Sequence, residues 1–143
     1  MILESGVSAV RHYVENLLAA FALALTLHDT DALERLLKGV SLGFHHADCT
    51  LTPRELMSQT VESGVSFVTI SNVNVLRSGK SAAYHCFYQV WGQSVGRTCH
   101  GMGTLKGLLR AGPQVWRWTE HTVAPFPSPE QVLSTPGSLG SAT

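Results

Sequence analysis

Residues 65–124 read VSFVTISNVNVLRSGKSAAYHCFYQVWGQSVGRTCHGMGTLKGLLRAGPQVWRWTEHTVA, and apolar residues in this stretch recur with a period of two. That period sends successive side chains to opposite faces, as in half-buried strands. Turn chemistry cuts the stretch at Ser78-Gly79, within Gly92–Gly96, and at Ala111-Gly112-Pro113. The expected strands are therefore Val65–Arg77, Ser81–Trp91, Arg97–Arg110 and Val115–Ala124. Hairpin links between them make an antiparallel meander.

Upstream of Gly64 the period is helical. From Ser5 to His28, the residues Val10, Tyr13, Val14, Leu17, Phe21, Ala24, Leu25 and His28 form one apolar stripe. A short helix, Ala32–Lys38, follows Thr30 or Asp31, with Asp31 and Glu34 at capping-box spacing and Gly39 as its stop. Val40–His46 reads as a short strand. Thr52, Pro53 and Glu55 then stand at the cap, first and third positions of another helix, which Gly64 closes. Helices followed by long strands are an α+β order, with the helices segregated to one face of the sheet. The expected domain is 1–124, and the Pro-, Ser- and Gly-rich residues 125–143 form a C-terminal extension.

The chain has 143 residues, 44% of them hydrophobic and 14% charged, enough apolar surface for a core and too little charge for a disordered chain. The longest apolar run, Leu17–Leu27, is shorter than a membrane span and lacks the flanks of a targeting signal, so no membrane partner is expected. Cys49, Cys86 and Cys99 are odd in number and have no CxxC spacing, which favours thiols in a reducing cytoplasm. Net charge is zero, which argues against a nucleic-acid partner. No Asp or Glu occurs between Val65 and Thr119, however, whereas Arg77, Lys80, Arg97, Lys106, Arg110 and Arg117 do.

Four segments carry a family resemblance: Leu27-His28-Asp29-Thr30-Asp31-Ala32-Leu33, Thr52-Pro53-Arg54-Glu55-Leu56, Ser78-Gly79-Lys80-Ser81-Ala82 and Val115-Trp116-Arg117-Trp118-Thr119-Glu120-His121-Thr122. In this order they resemble the nuclear transport factor 2-like superfamily, in its SnoaL-like polyketide cyclase and ketosteroid isomerase-like branch. The resemblance spans about Val7 to Val123. It implies a cone-shaped, curved antiparallel sheet wrapped around three N-terminal helices. It also implies a small-molecule pocket between the concave face and the first and third helices. The superfamily holds isomerases, dehydratases, cyclases and non-catalytic binders alike, so fold alone does not decide function.

Alternation puts Tyr84, Cys86, Tyr88 and Val90 on one face of the second long strand, and His85, Phe87, Gln89 and Trp91 on the other. A symmetric Gly92–Gly96 loop sets Tyr88 opposite His100, Cys86 opposite Met102 and Phe87 opposite Gly101. Tyr84, Tyr88, His100 and Met102 are then expected inside, although a bulge would swap the faces. Tyr13 and Trp118 complete the expected ligand-binding set. On the last strand, Trp116 and Trp118 share a face with Glu120, and Arg117 and Thr119 share theirs with His121, so only one of Glu120 and His121 can point in.

His45-His46-Ala47-Asp48-Cys49 is the densest polar cluster, but adjacent histidines face opposite ways and no spaced second pair of ligands follows. No metal and no cofactor are assigned. Cys86 or Cys99 could meet His100 or His85 across the hairpin, although a buried thiol is more often inert packing. Catalytic relatives place a carboxylate in the pocket, and the first three long strands contain none. The candidate proton carriers are therefore His46, His100, Glu120 and His121, with a tyrosine as oxyanion donor. Two functions stay open. One is a small-molecule pocket protein for a flat apolar or aromatic ligand, with an anionic group drawn by the acid-free strands and proton-transfer chemistry of the isomerase, cyclase or dehydratase type. The other is a non-catalytic ligand-binding or interaction module that forms a homodimer through the sheet face bearing His85, Phe87, Gln89 and Trp91.

Overall fold

A computed structural model describes residues 2–94 and 96–125, with the side chains of 2–8, 46–48, 94, 97 and 99 left aside. The proposed extension beyond residue 125 lies outside the described residues.

Helix α1 spans Ile2–Thr26. Its buried stripe runs Val10, Val14, Leu18, Phe21 and Leu25, a helical spacing that places all five on one side. His28, expected on that stripe, lies past the helix end with φ 53°. Its Nε2 is 2.7 Å from the Val65 carbonyl, and the Val68 N–H donates to Thr26 Oγ1 at 3.0 Å. Both bonds tie the end of α1 to the start of the sheet. Helix α2, Thr30–Leu36, is capped by Asp29, which accepts from the Ala32 N–H at 3.0 Å. The cap expected at Asp31 is corrected to Asp29, whose carboxylate stands one position before the first helical residue, where it can meet the unpaired N–H groups. Helix α3, Pro53–Glu62, begins as the sequence indicates. Thr52 Oγ1 accepts from the Glu55 N–H at 3.1 Å, and Glu55 accepts from the Thr52 N–H at 2.8 Å.

Strands β1, Ser41–Phe44, and β2, His46–Thr50, replace the expected single strand Val40–His46. The chain reverses at His45, whose φ is 67°, so Phe44 pairs with His46 across a tight turn. The long strands are β3, Val65–Ser78; β4, Ser81–Ser94; β5, Arg97–Ala111; and β6, Trp116–Pro125. They form one sheet in the order β2-β1-β6-β5-β4-β3. All pairs are antiparallel except β1 with β6, which runs parallel with Leu42 beside His121. Helix α1 packs across the concave face, and the core lies between them.

The β4–β5 hairpin departs from the expected loop. Ser94 pairs with Arg97, so only two residues connect the strands, not the five of Gly92–Gly96. Gly92 is a strand residue lying flat against the β3 start. A Cβ there would sit 1.9 Å from the Gly64 carbonyl oxygen, which accepts from the Gln93 N–H at 3.0 Å. This glycine serves a close approach of two backbones rather than a turn. The shorter loop slides the register by an odd number of residues, and an odd slip exchanges the faces of β5. Tyr88 pairs with Gly103, Gln89 with Met102 and Trp91 with His100.

A second irregularity lies on β6. Leu108 pairs with Glu120 but Leu109 pairs with Trp118, leaving Thr119 as an extra residue. Its hydroxyl donates to the Leu108 carbonyl at 3.1 Å. This bulge breaks the alternation, so Trp118 and His121 both point inward.

The close approach at Gly92 yields a stability test. Gly92→Ala is expected to cost upwards of about 2 kcal/mol, because neither backbone can yield. Gly101→Ala, whose Cβ would meet only Val90 Cγ2 at 3.1 Å, should cost under about 1 kcal/mol. Urea midpoints of the two variants measure the difference.

Candidate functional site

A cavity of about 180 Å³ opens between α1, α3 and the concave sheet. Phe21 and Leu25 of α1 form one wall, and Val65, Val68, Tyr88, Val90, Leu105 and Val123 form the sheet side. Helix α3 and its C-cap contribute Leu56, Gln59, Thr60 and Ser63, which lie at positions i, i+3, i+4 and i+7 and so share one face. Phe44 and Pro125 also line the cavity.

The lining is mostly apolar, and its polar groups are neutral. Thr60 Oγ1 is committed to the Leu56 carbonyl one turn back, at 2.8 Å. Tyr88 is 8% exposed and lines the cavity. Burial pushes its pKa up to about 12, so it remains a proton-bearing donor at neutral pH. The ring finds room because it lies across from Gly103, where a Cβ would be 2.8 Å from Tyr88 Cε2. An aromatic does cover a bare strand glycine here. The pair is Tyr88 on Gly103, and Phe87 instead faces Thr104.

Beneath the cavity lies a buried polar chain. The Trp118 Nε1–H donates to the Tyr84 hydroxyl oxygen at 2.8 Å. The Tyr84 hydroxyl meets His121 Nδ1 in a short hydrogen bond. With Trp118 donating to that oxygen, the phenol O–H is free to donate to Nδ1, an arrangement that goes with the tautomer protonated on Nε2. His121 Nε2 is buried with no partner among the described residues. The Phe21 ring stands edge-to-face against the imidazole at 4.5 Å. Phe21 therefore separates His121 from the cavity that Phe21 itself lines. Tyr84 fits because it crosses Gly107, where a Cβ would be 2.2 Å from its hydroxyl. Burial raises the Tyr84 pKa and lowers that of His121 to about 3.

No protein-family model matches the chain, and no curated protein matches its sequence. Solved structures do match. LinA superposes with a TM-score of 0.70 at 10% identity, covering 86% of this chain and 90% of LinA. A nuclear transport factor 2-like protein with a cystatin-like fold from Novosphingobium aromaticivorans gives 0.65 at 14% identity, over 90% and 92% of the two chains. A nuclear transport factor 2-like superfamily protein from Salmonella enterica gives 0.64 at 12%, over 86% and 95%. The chain has the nuclear transport factor 2-like fold. At these identities the likeness is one of backbone, and the site must be read from this chain's own residues.

Within this fold the sequence-derived candidates separate. His100 is on the convex face, stacked on Trp91 at 4.0 Å, with its Nε2 2.9 Å from Gln89 Oε1. Met102 is 43% exposed on that same face. The inward placement expected for both is corrected by the odd register slip at the two-residue hairpin. Glu120 is exposed, and the bulge at Thr119 gives the inward position to His121. The expected sharing of a face by Trp118 and Glu120 is corrected by the same bulge. Tyr84 and Trp118 are inside but held in the buried chain, and neither lines the cavity. Tyr13 is half-buried in the middle of α1 and is not part of this lining. The His46 side chain lies outside the described residues. Of the candidates whose side chains are described, Tyr88 alone lines the cavity.

Cys86 faces inward while His85 and His100 face outward, so no Cys86–histidine pair forms. Burial pushes the Cys86 thiol up to about 12, the opposite of an activated nucleophile. The Cys99 side chain is outside the described residues. Among the described residues no three metal-ligating side chains cluster, and no helix is long and apolar enough to cross a membrane.

His121 makes stability depend on acid. An unfolded imidazole binds a proton near pH 6.5, whereas the folded one does so only near pH 3. Between these values the unfolded chain holds the extra proton. The contribution is therefore complete above pH 6.5 and falls as pH drops, by up to about 1.4 kcal/mol per unit. Urea unfolding of the protein should show this slope from about pH 6.5 down to about pH 4. His121→Phe should be less stable at neutral pH but flatter across that window.

Proposed function

We propose that the protein binds a small, neutral, largely apolar ring compound in the cavity beneath α3, with the Tyr88 hydroxyl donating to a carbonyl or hydroxyl of the ligand. The observation that carries this reading is a proton-bearing phenol at the wall of a cavity whose lining is mostly apolar. The hydroxyl opens onto the cavity, where it is free to donate to a ligand acceptor. The size supports one ring or two fused rings, since a dry cavity of about 150 Å³ holds benzene. The resemblance to small-molecule pocket proteins points the same way. A buried, reduced Cys86 fits a reducing cytoplasm.

Titration with 1-indanone, followed by protein-observed NMR, tests the binding. Shifts should concentrate on Tyr88, Val68 and Leu56, and Tyr88→Phe should weaken binding about three- to tenfold, the net worth of one hydrogen bond. Unchanged affinity in Tyr88→Phe would remove the assigned donor. Proton transfer of the isomerase, cyclase or dehydratase type is the catalytic form of the same reading. Tyr88 would then stabilise an oxyanion, and His46, which stands opposite Phe44 in the β1–β2 register, would be the base. Turnover abolished by His46→Gln would establish that form, and binding without turnover would establish a binding module.

A second reading concerns the convex face. Phe67 pairs with Trp91, which pairs with His100, so these side chains form one row across three strands. Phe67 is 53%, Trp91 40% and Phe87 37% exposed. A contiguous aromatic patch of this kind marks an interface, and we propose that it joins two copies of the chain. Sedimentation should then show a dimer that Trp91→Lys converts to a folded monomer. A wild-type monomer at high concentration would overturn this.

A further inference from the structure

At the opposite end of β6 a cleft of about 540 Å³ opens between α1, the end of α2 and the β5–β6 hairpin. It shares no lining residue with the Tyr88 cavity. Trp118 lines one and Val123 the other, and five strand residues span roughly 16 Å. The inner surface of the cleft is aromatic and aliphatic: Tyr13, Leu17, Leu36, Trp116 and Trp118. The Trp118 indole N–H is already spent on Tyr84, so Trp118 offers a ligand only ring surface.

The charge at this end is one-sided. Lys38, Arg110 and Arg117 line the cleft and no acidic residue does. Strand alternation starts Arg110 and Arg117 on the face opposite Trp116, so they reach the cleft at its wet rim. They also stand directly opposite each other in the β5–β6 register, an arrangement that repulsion disfavours. The ion pairs among the described residues, Arg11–Glu15 and Arg54–Glu34, involve none of the three. A fourth cation, Arg77, lies over the Trp116 ring at 5.1 Å from its centre. Here positive charge gathers beside a flat aromatic surface, whereas the Tyr88 cavity has no cation in its lining. A ligand complementary to both features has a planar ring and one negative charge.

The geometry points to a second binding site in this cleft, for planar aromatic carboxylates, with the ring against Trp116 and Trp118 and the carboxylate at the rim beside Lys38, Arg110 and Arg117. The site is independent of the Tyr88 cavity. Calorimetric titration of the full chain with 2-naphthoate and with its neutral counterpart, 2-naphthamide, tests it. The acid is expected to bind about tenfold more tightly than the amide, as a charge-assisted contact requires. The preference should shrink as salt is raised. Joining Lys38→Gln to Arg117→Gln, both at exposed positions, should reduce the preference below about threefold without loss of fold. Tyr88→Phe should leave it unchanged. Equal binding of acid and amide, binding of neither, or a preference that survives the double variant would overturn the proposal. Loss of the preference in Tyr88→Phe would do so too, by moving the ligand to the other cavity.

Discussion

The Tyr84 hydroxyl joins an indole and an imidazole, Trp118 and His121, in the middle of an apolar core. Unpaired, each of these polar groups would cost on the order of 1–3 kcal/mol when buried. Linked, the indole N–H, the hydroxyl and the imidazole Nδ1 satisfy one another, while Nε2 has no partner among the described residues, and the chain bridges β4 and β6 across the glycine of β5. The chain exists because of two backbone features. The extra residue at Thr119 turns both Trp118 and His121 inward, and the bare Cα of Gly107 leaves the slot that the Tyr84 ring occupies. Either change alone would separate the partners.

Burial of this chain decides what the interior can do. Burial lowers the His121 pKa to about 3, so the imidazole is neutral at physiological pH and holds the Tyr84 hydroxyl. With His121 held in this way and Glu120 turned to solvent, the described cavity lining carries only neutral polar groups. A neutral apolar cavity with one phenol donor favours recognition by shape and a single hydrogen bond. Charge has been moved to the opposite end of the sheet, where it stays hydrated around Trp116 and Trp118. The same strands thus line two chemically different cavities.

Some of the site was legible before the fold was known. The α3 start at Thr52-Pro53-Arg54-Glu55 is a local motif whose hydrogen bonds span three residues, so local spacing is enough to read it. Tyr84 and Tyr88 were placed inside by strand alternation within β4 alone. The face of Leu56, Gln59, Thr60 and Ser63 has helical spacing and could have been read in the same way. His100, Met102 and the pairing of Trp118 with Glu120 were misplaced because each depends on counting across a break. Gly92 looks like turn glycine and acts as a contact glycine, and Thr119 carries no composition signal of a bulge. One residue of error in either count exchanges every face beyond it.

The sequence by itself determined the order of the helices and long strands, the α+β class, the alternation of side chains along β4 and the lack of acidic residues from Val65 to Thr119. These follow from periodicity and capping, which act over a few residues. Only the tertiary structure decided which histidine is buried, which glycine each tyrosine covers, and where the arginines gather. Those outcomes rest on register, a bulge and a parallel β1–β6 pair. They are set by contacts between segments far apart in the chain, which no local pattern encodes.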